Sequence, residues 1–215
     1  MRYEAEMKEG ILTFLKTGQH CKNIVHEVDS GYGIADFVGM RNSSKRSFFY
    51  FKNKIDVFFL LKMRINQPIS LDEIEKYVHY SRKYLKNVIL KLYKEQGLID
   101  EIDKNLYVRT ADLDEKGFFL VAVEAKLSKW NQALVQAALY KKFADYSLVA
   151  LYKKYVRNVD LKTFKEHKIG LISIDDELDF DVIVEPGLNK EYYKESKLFI
   201  SGLTVMEYCH GGIFR

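Results

Sequence analysis

An apolar run in the middle of the chain leads directly into two charged residues whose types and spacing suit metal-assisted chemistry. Residues 118–123 are apolar, and Glu124, Ala125 and Lys126 follow at once. Residues two apart in a strand share a face, so Glu124 and Lys126 project side by side while Ala125 turns away. Buried charges are costly unless they are paired or bind metal. The pattern therefore suits a metal ion with an activated water, or alternatively a structural ion pair at a strand end.

A second candidate acid, Asp36, follows a glycine-rich turn near the N-terminus. Residues 29–33 predict a turn, and the flanking segments 22–28 and 34–40 predict the two strands of a β-hairpin. Asp36 lies inside the second strand, where Asp is disfavoured, on the face that carries Ile34 and Val38. An acid among apolar neighbours needs a partner. That partner is either the site around Glu124 or the turn of its own hairpin.

Asp36, Glu124 and Lys126, in this order, resemble the motif of the PD-(D/E)XK nuclease superfamily. Ala35 stands where the proline of the motif name would be. The following helix carries Gln136-Ala-Ala-Leu-Tyr140, which is similar to the Gln-x-x-x-Tyr element of RecB-like members. The resemblance covers residues 1 to about 55 and about 111 to 185.

The resemblance implies a site for Mg²⁺ (or Mn²⁺) formed by oxygen ligands, namely Asp36, Glu124 and the carbonyl of Ala125. Lys126 would orient the nucleophile, and Gln136 would position water or phosphate. Further accessory candidates are Glu6 or Glu9 of the first helix, Glu27 across the hairpin, Gln132 and Tyr140. For the two glutamines and Tyr140, an exposed polar stripe with a half-buried Tyr is an equally open interpretation.

The segment 54–110 has a helical pattern of its own. Residues 54–64 predict a helix, Ser70-Leu-Asp-Glu73 is a capping box, and Ser81 would cap a third helix that ends at Gly97. Short strands at 98–101 and 106–109 would flank a turn at 103–105.

This order of elements, with two helices, a basic helix and a hairpin, resembles a winged helix-turn-helix domain. The segment holds eleven basic and eight acidic residues. The resemblance implies that the third helix enters the major groove while the wing touches the backbone. The residues that would face DNA are Arg82, Lys83, Lys86, Asn87 and Lys104. A merely solvated face, or one that contacts protein, remains the alternative.

The expected fold is α/β. A restriction-endonuclease-like mixed sheet flanked by helices would be built from residues 1–53 and 111–215, with the winged helix-turn-helix inserted at 54–110. In the core we expect a first helix over 1–17, a helix capped by Ser128, strands at 146–152, 170–174 and 180–184, and a helix at 161–167.

Composition describes an ordinary globular protein. The chain has 215 residues, 47% hydrophobic and 30% charged, with a net charge of +4. No apolar run is long enough to cross a membrane, and the charged N-terminus lacks a signal peptide core, so a cytoplasmic location is expected. Cys21 and Cys209 predict reduced thiols.

Three functions remain open from the sequence. The favoured one is a divalent-metal-dependent nuclease that acts on duplex or branched DNA, where a homodimer would supply two sites for two strands. The second is a DNA-binding regulator with a silent nuclease-like core. The third is a scaffold for protein interactions.

Overall fold

A six-stranded mixed sheet forms the centre of the protein. The computed structural model describes residues 4–42 and 49–209, apart from the side chains at 42 and 207–209. Its strands are β1 (Asn23–Asp29), β2 (Ile34–Asn42), β6 (Phe118–Lys126), β7 (Tyr146–Tyr152), β8 (Gly170–Ile174) and β9 (Phe180–Val184). Their order is β1-β2-β6-β7-β8-β9; β6, β7 and β8 run parallel, and the other neighbours are antiparallel.

Helices cover both faces of this sheet. One face carries α1 (Lys8–Thr13), which is preceded by the 3₁₀ turn Glu4–Met7 and followed by the π-helical turn Phe14–Gly18. The other face carries α6 (Trp130–Tyr140), α7 (Leu161–His167) and α8 (Lys194–Cys209). The layered α/β architecture agrees with the coarse fold class expected from the sequence.

The alternation of side chains along β6 decides where its charges point. Val121, Val123 and Ala125 belong to the buried cluster that includes Met7 and Ile11 at the start of the chain. Neighbouring side chains of a strand point to opposite faces, so Glu124 and Lys126 project to the side of α6. Glu124 is only 1% exposed there.

The middle of the chain forms three helical segments and a second sheet. Its helices are α2 (Lys54–Lys62), α3 (Leu71–Glu75) and a helix over 82–95, which combines α4 (Arg82–Tyr84), a π-helical turn (Leu85–Leu90) and α5 (Lys91–Glu95). The sheet has the order β3-β5-β4, with β3 (Pro68–Ser70), β4 (Ile99–Asp103) and β5 (Leu106–Arg109). We call residues 54–110 the helical module.

Local sequence signals fix the ends of the module's helices. Ser70 and Glu73 form the expected capping box, and the Ser81 hydroxyl accepts a hydrogen bond from the amide of Tyr84. Gly97 follows the basic helix with a positive φ of 70°, a conformation that glycine adopts without a steric penalty. These three predictions are confirmed.

The helical module shares one hydrophobic cluster with the sheet. Leu60, Ile74 and Ile89 of the module belong to the same buried cluster as Val38 of β2 and Ile200 of α8. Helix α8 contacts both α2 and the β1–β2 hairpin. It therefore lies between the two parts of the chain and joins their cores.

Several other sequence expectations are settled by the observed elements. The strands at 146–152, 170–174 and 180–184 and the helix at 161–167 occur with the expected bounds. The expectation that Ser128 caps α6 is wrong, because Lys129 occupies the N-cap and makes no side-chain capping hydrogen bond. The structure does not describe residues 1–3 of the expected first helix or the side chain of Cys209. Among the described residues, no helix combines the length and apolar content that a membrane span requires.

A buried ion pair anchors α8 to the sheet. Lys197 of α8 places its Nζ 2.7 Å from Oδ1 of Asp145, and both residues are almost fully buried. The second oxygen of Asp145 accepts a hydrogen bond of 2.7 Å from the amide of Leu120 in β6. The lysine ammonium also lies 4.3 Å from the ring centroid of Tyr192. The pair thus connects α8 to the start of β6 and β7.

We expect Lys197→Met to lower the free energy of unfolding by about 3–5 kcal/mol, because it leaves the Asp145 carboxylate buried without its counter-charge. Lys194→Met on the same helix is the matched control, since Lys194 pairs with Glu115 at 2.8 Å but is 40% exposed. The control should cost no more than about 1 kcal/mol. Urea unfolding at pH 7 measures both, and equal losses would contradict a structural role for the buried pair.

Candidate active site

The two acids predicted from distant parts of the chain meet where β2 and β6 separate. The last paired residues of this ladder are Phe37 and Val123. One residue further, Oδ2 of Asp36 accepts a hydrogen bond of 2.7 Å from the amide of Ala125. A side-chain carboxylate thus satisfies the backbone donor that a continuing strand would have satisfied, and this fixes Asp36 beside the end of β6.

The Glu124 carboxylate is held by two donors from different elements. Lys126 Nζ lies 2.6 Å from Oε1 of Glu124 and also donates to the carbonyl of Ala125 at 3.0 Å. The hydroxyl of Tyr140, at the end of α6, donates to Oε2 of Glu124 and lies 2.7 Å from the carbonyl oxygen of Ile34. Tyr140, expected only as an accessory residue, is therefore in direct contact with the predicted second acid.

The electrostatics of the site reflect burial and crowding of carboxylates. Burial raises the pKa of Glu124 above its usual value despite hydrogen bonds from Lys126 and Tyr140, and the charge of Asp36 raises it further. Burial likewise raises the pKa of Asp36, against the amide of Ala125. For Lys126, burial lowers the pKa, but the hydrogen bond and charge of Glu124 together with Asp36 and Glu4 raise it overall. The charge of one ammonium group thus acts on three carboxylates, those of Glu124, Asp36 and Glu4.

The acid that the first helical segment brings to this site is Glu4. Its Oε2 lies 3.8 Å from Lys126 Nζ, and its Oε1 lies 3.4 Å from the amide of Leu127. Glu6 and Glu9, the candidates expected from the sequence, are both exposed. The segment begins with a 3₁₀ turn, whose three residues per turn shift the helical phase from that of an α-helix. Glu27 lies between two residues of β1 that pair with the neighbours of Asp36, and its charge raises the pKa of Asp36.

The two glutamines of α6 lie on its outer side. Gln132 is exposed and Gln136 half-buried, and both line a surface depression together with Asn131 and Val135. In the described part of the chain, neither side chain hydrogen-bonds to Asp36, Glu124 or Lys126. Of the Gln-x-x-x-Tyr element, the Tyr therefore provides the described hydrogen bond to an acid of the site, Glu124.

The donor set at this site fits a hard divalent cation. Asp36, Glu124 and the carbonyl of Ala125 provide oxygen atoms, which Mg²⁺ prefers. The charge of Asp36 raises the proton affinity of Glu124, the charges of Glu4 and Glu27 raise that of Asp36, and a cation would relieve this repulsion. Among the described residues there is no cluster of three or more His, Cys, Asp or Glu side chains with the geometry of a metal site. The set is thus two carboxylates and a carbonyl, with Lys126 and Tyr140 as their present partners.

The residues expected to face DNA belong to the helical module, but two of the five are already paired. Arg82 forms ion pairs of 2.6 Å with Asp72 and 2.7 Å with Glu75. Lys86 donates to the side chain of Asn105 at 2.9 Å. The remaining members of the expected surface, all exposed, are Lys83, Asn87 and Lys104. The acidic partners reduce the positive charge that this face presents.

Comparisons with protein-family models, with curated proteins and with solved structures found no match for the chain.

The raised pKa of Asp36 predicts a pH-dependent effect of Asp36→Asn on stability in the absence of metal. The folded protein binds the proton of the Asp36 carboxyl more tightly than the unfolded chain does. The unfolding free energy of the wild-type protein therefore decreases as pH rises through the folded-state pKa of Asp36. An asparagine carries no charge. The unfolding free energy of the variant, relative to wild type, should therefore increase from pH 4 to pH 8 in urea titrations with EDTA.

Asp160→Asn provides a control of opposite sign. Hydrogen bonds from Thr163 and the first amides of α7 lower the pKa of Asp160, so its charged form is the stabilising one. The relative stability of this variant should fall as pH rises from about 2 to about 5 and should stay level from there to pH 8, because both the folded and the unfolded pKa of Asp160 lie at or below about 4. A pH-independent difference for Asp36→Asn would contradict the electrostatic description of the site.

Proposed function

We propose that this protein is a divalent-metal-dependent nuclease that hydrolyses phosphodiester bonds of DNA. One observation carries the proposal: Asp36 lies together with Glu124 and Lys126 at the end of the central sheet, although it is remote from this pair in sequence. Two carboxylates with a lysine suit phosphodiester hydrolysis, in which charge builds on phosphate oxygens and on the leaving oxygen. A restriction-endonuclease-like assignment of the six-stranded sheet is part of the same proposal.

Each residue has a distinct role in this proposal. Asp36, Glu124 and the carbonyl of Ala125 would hold the ion. A bound Mg²⁺ or Mn²⁺ would polarise the phosphate and lower the pKa of a coordinated water. Lys126 stabilises developing negative charge and orients the attacking water. Tyr140 is a positioning residue, because its hydroxyl holds one oxygen of Glu124 and thereby limits the orientations of the carboxylate.

The helical module would dock the DNA. Its three helical segments and the β3-β5-β4 sheet are compatible with a winged helix-turn-helix, in which the helix over 82–95 approaches the major groove and the β4–β5 turn is the wing. Lys83, Asn87 and Lys104 are the exposed members of this surface.

A second candidate function is that of a DNA-binding regulator, in which the helical module binds DNA and the nuclease-like core is catalytically silent. It is favoured by the internal satisfaction of the site, where both oxygens of Glu124 and one of Asp36 already have protein donors. Metal binding separates the two candidates, because an ion that binds only the folded state raises the unfolding midpoint. A silent core predicts no midpoint shift with Mg²⁺ or Mn²⁺ and no nicking.

Glu124→Gln and Lys126→Met should each reduce Mg²⁺-dependent cleavage of supercoiled, linear and branched DNA by about 10²-fold or more, because each removes charge at the reacting phosphate. Affinity for DNA in EDTA should remain within a few-fold of wild type, which shows that the variants fold and bind.

The chain offers a matched control for these two variants. Glu166-His167-Lys168 has the same Glu-x-Lys spacing, and its charged residues are exposed at the end of α7. Glu166→Gln and Lys168→Met should cleave like wild type. Wild-type rates in the Glu124 and Lys126 variants would refute the assignment of the site, while activity in EDTA would refute the need for metal.

Binding of duplex DNA by the helical module should depend on salt according to which cations are unpaired. Lys83→Ala and Lys104→Ala should each reduce the slope of log Kobs against log [salt] by about 0.9, the value for one phosphate contact. Arg82→Ala should change the slope less, because Arg82 must leave Asp72 and Glu75 to reach a phosphate. Fluorescence anisotropy at several salt concentrations measures these slopes. Unchanged slopes for both lysine variants would show that duplex DNA does not bind at Lys83 and Lys104.

A further inference from the structure

Two lysines from different parts of the chain converge on one tyrosine at the tip of the β1–β2 hairpin. Lys54, the first residue of α2, places its Nζ 4.2 Å from the ring centroid of Tyr32. Lys142, just beyond α6, places its Nζ 4.6 Å from the same centroid. Tyr193 lies beside them, with its ring centroid 6.1 Å from that of Tyr32. We call these four residues the Tyr32 cluster.

The cluster holds positive charge without a described counter-charge. In the part of the chain that the structure describes, neither Lys54 nor Lys142 forms an ion pair with an acidic residue. Their ammonium groups are at most about 9 Å apart, the sum of the two ring distances. This separation is close to the Debye length at physiological salt, so the repulsion is only partly screened. Lys197, which also lies over aromatic rings, differs because Asp145 neutralises it.

The surroundings of the cluster keep the tyrosines in place. The Tyr32 hydroxyl is 3.2 Å from the Ser196 hydroxyl, and the amide of Tyr193 donates to the carbonyl of Lys142 at 2.9 Å. The side chain of Tyr193 is nevertheless 51% exposed. Tyr193 thus has an anchored backbone and a ring that is open to solvent, next to the tyrosine that carries two ammonium groups, and such a ring can stack with a planar group of an anionic ligand.

The position of the cluster connects the helical module to the candidate active site. Tyr32 precedes Asp36 by four residues, so their Cα atoms are at most about 14 Å apart. Tyr140, which binds Glu124, lies 3.9 Å from the Cβ position that a side chain at Gly33 would occupy. A strand of nucleic acid that reaches the acids from the module can therefore pass over this hairpin.

We propose that the Tyr32 cluster binds a single-stranded segment of nucleic acid, with Lys54 and Lys142 on phosphates and an unpaired base stacked on Tyr193. The inference deepens the proposed nuclease function and rests on its nucleic-acid partner. Paired lysines beside an exposed aromatic ring are the elements by which proteins bind single strands without reading sequence. A free phosphate would use the lysines but not the ring. Duplex DNA would leave no base face for Tyr193.

The test measures binding of a fluorescein-labelled oligothymidylate to the full chain in EDTA, beside a duplex of equal length. An oligothymidylate of about 20 nucleotides is long enough to span more than one binding site. Lys54→Ala/Lys142→Ala should weaken single-strand binding at least tenfold and reduce the salt slope by about 1.4, at about 0.7 for each phosphate contact. Tyr193→Ala should weaken it by about five- to a hundredfold, and Tyr193→Phe should bind like wild type.

Two controls separate charge at the cluster from charge in general. Lys162→Ala removes a lysine of α7 that is 82% exposed and should leave binding unchanged. Lys54→Arg/Lys142→Arg keeps the charge and should bind within a few-fold of wild type. Single-strand affinity and salt slope that match wild type in the double alanine variant would overturn the proposal, and so would equal losses for single strand and duplex.

The outcome is distinguishable from failure of the nuclease proposal. Cluster-dependent single-strand binding in EDTA, without cleavage in Mg²⁺, would support the cluster and refute the nuclease. Metal-dependent cleavage with single-strand binding unaffected by the double alanine variant would refute the cluster alone.

Discussion

The burial of the Glu124 carboxylate is the constraint on which the end of the central sheet depends. A desolvated carboxylate requires hydrogen-bond donors or a counter-charge, and Tyr140 and Lys126 provide them. Because the Tyr140 hydroxyl also lies within hydrogen-bond distance of the carbonyl of Ile34, the same group ties α6 to the start of β2. Asp36 then completes the arrangement by accepting from the amide of Ala125. One buried charge thus sets the relative positions of three elements.

Buried acids occur elsewhere in this protein, and comparison with them shows what distinguishes the candidate site. Asp56 of α2 is fully buried, but hydrogen bonds from Tyr80, Tyr93 and a backbone amide satisfy it inside the helical module. Asp145 has Lys197 and a backbone amide. Protein donors or a buried counter-charge thus satisfy both of these acids, whose role is to stabilise the fold. Glu124 instead lies near a second carboxylate that raises its pKa, an arrangement that is unfavourable for folding and suited to binding a cation.

Positive charge is distributed unevenly over the module and its junction with the sheet. Cations on the helix over 82–95 are partly neutralised, as shown by Arg82 with two acids of the preceding helix. At the junction, Lys54 and Lys142 meet at Tyr32 with no described carboxylate. Because α8 packs against both α2 and the hairpin within one hydrophobic cluster, this junction is part of a continuous core. The geometry between module and sheet is therefore fixed by packing.

The sequence by itself determined the elements whose signals are local. The elements β7, β8, β9 and α7 are apolar or amphipathic segments with clear boundaries. Ser70 and Glu73 form a capping box because they are only three residues apart. The side-by-side placement of Glu124 and Lys126 also followed from strand geometry alone. Only the tertiary structure revealed α8, whose buried face includes Ser196, Lys197, Ser201 and Thr204 and so conceals the usual apolar stripe. It also decided that Glu4 reaches Lys126 and that Tyr140, not Gln136, hydrogen-bonds to Glu124. These contacts depend on helical phase and on how elements far apart in the chain pack, which no local pattern encodes.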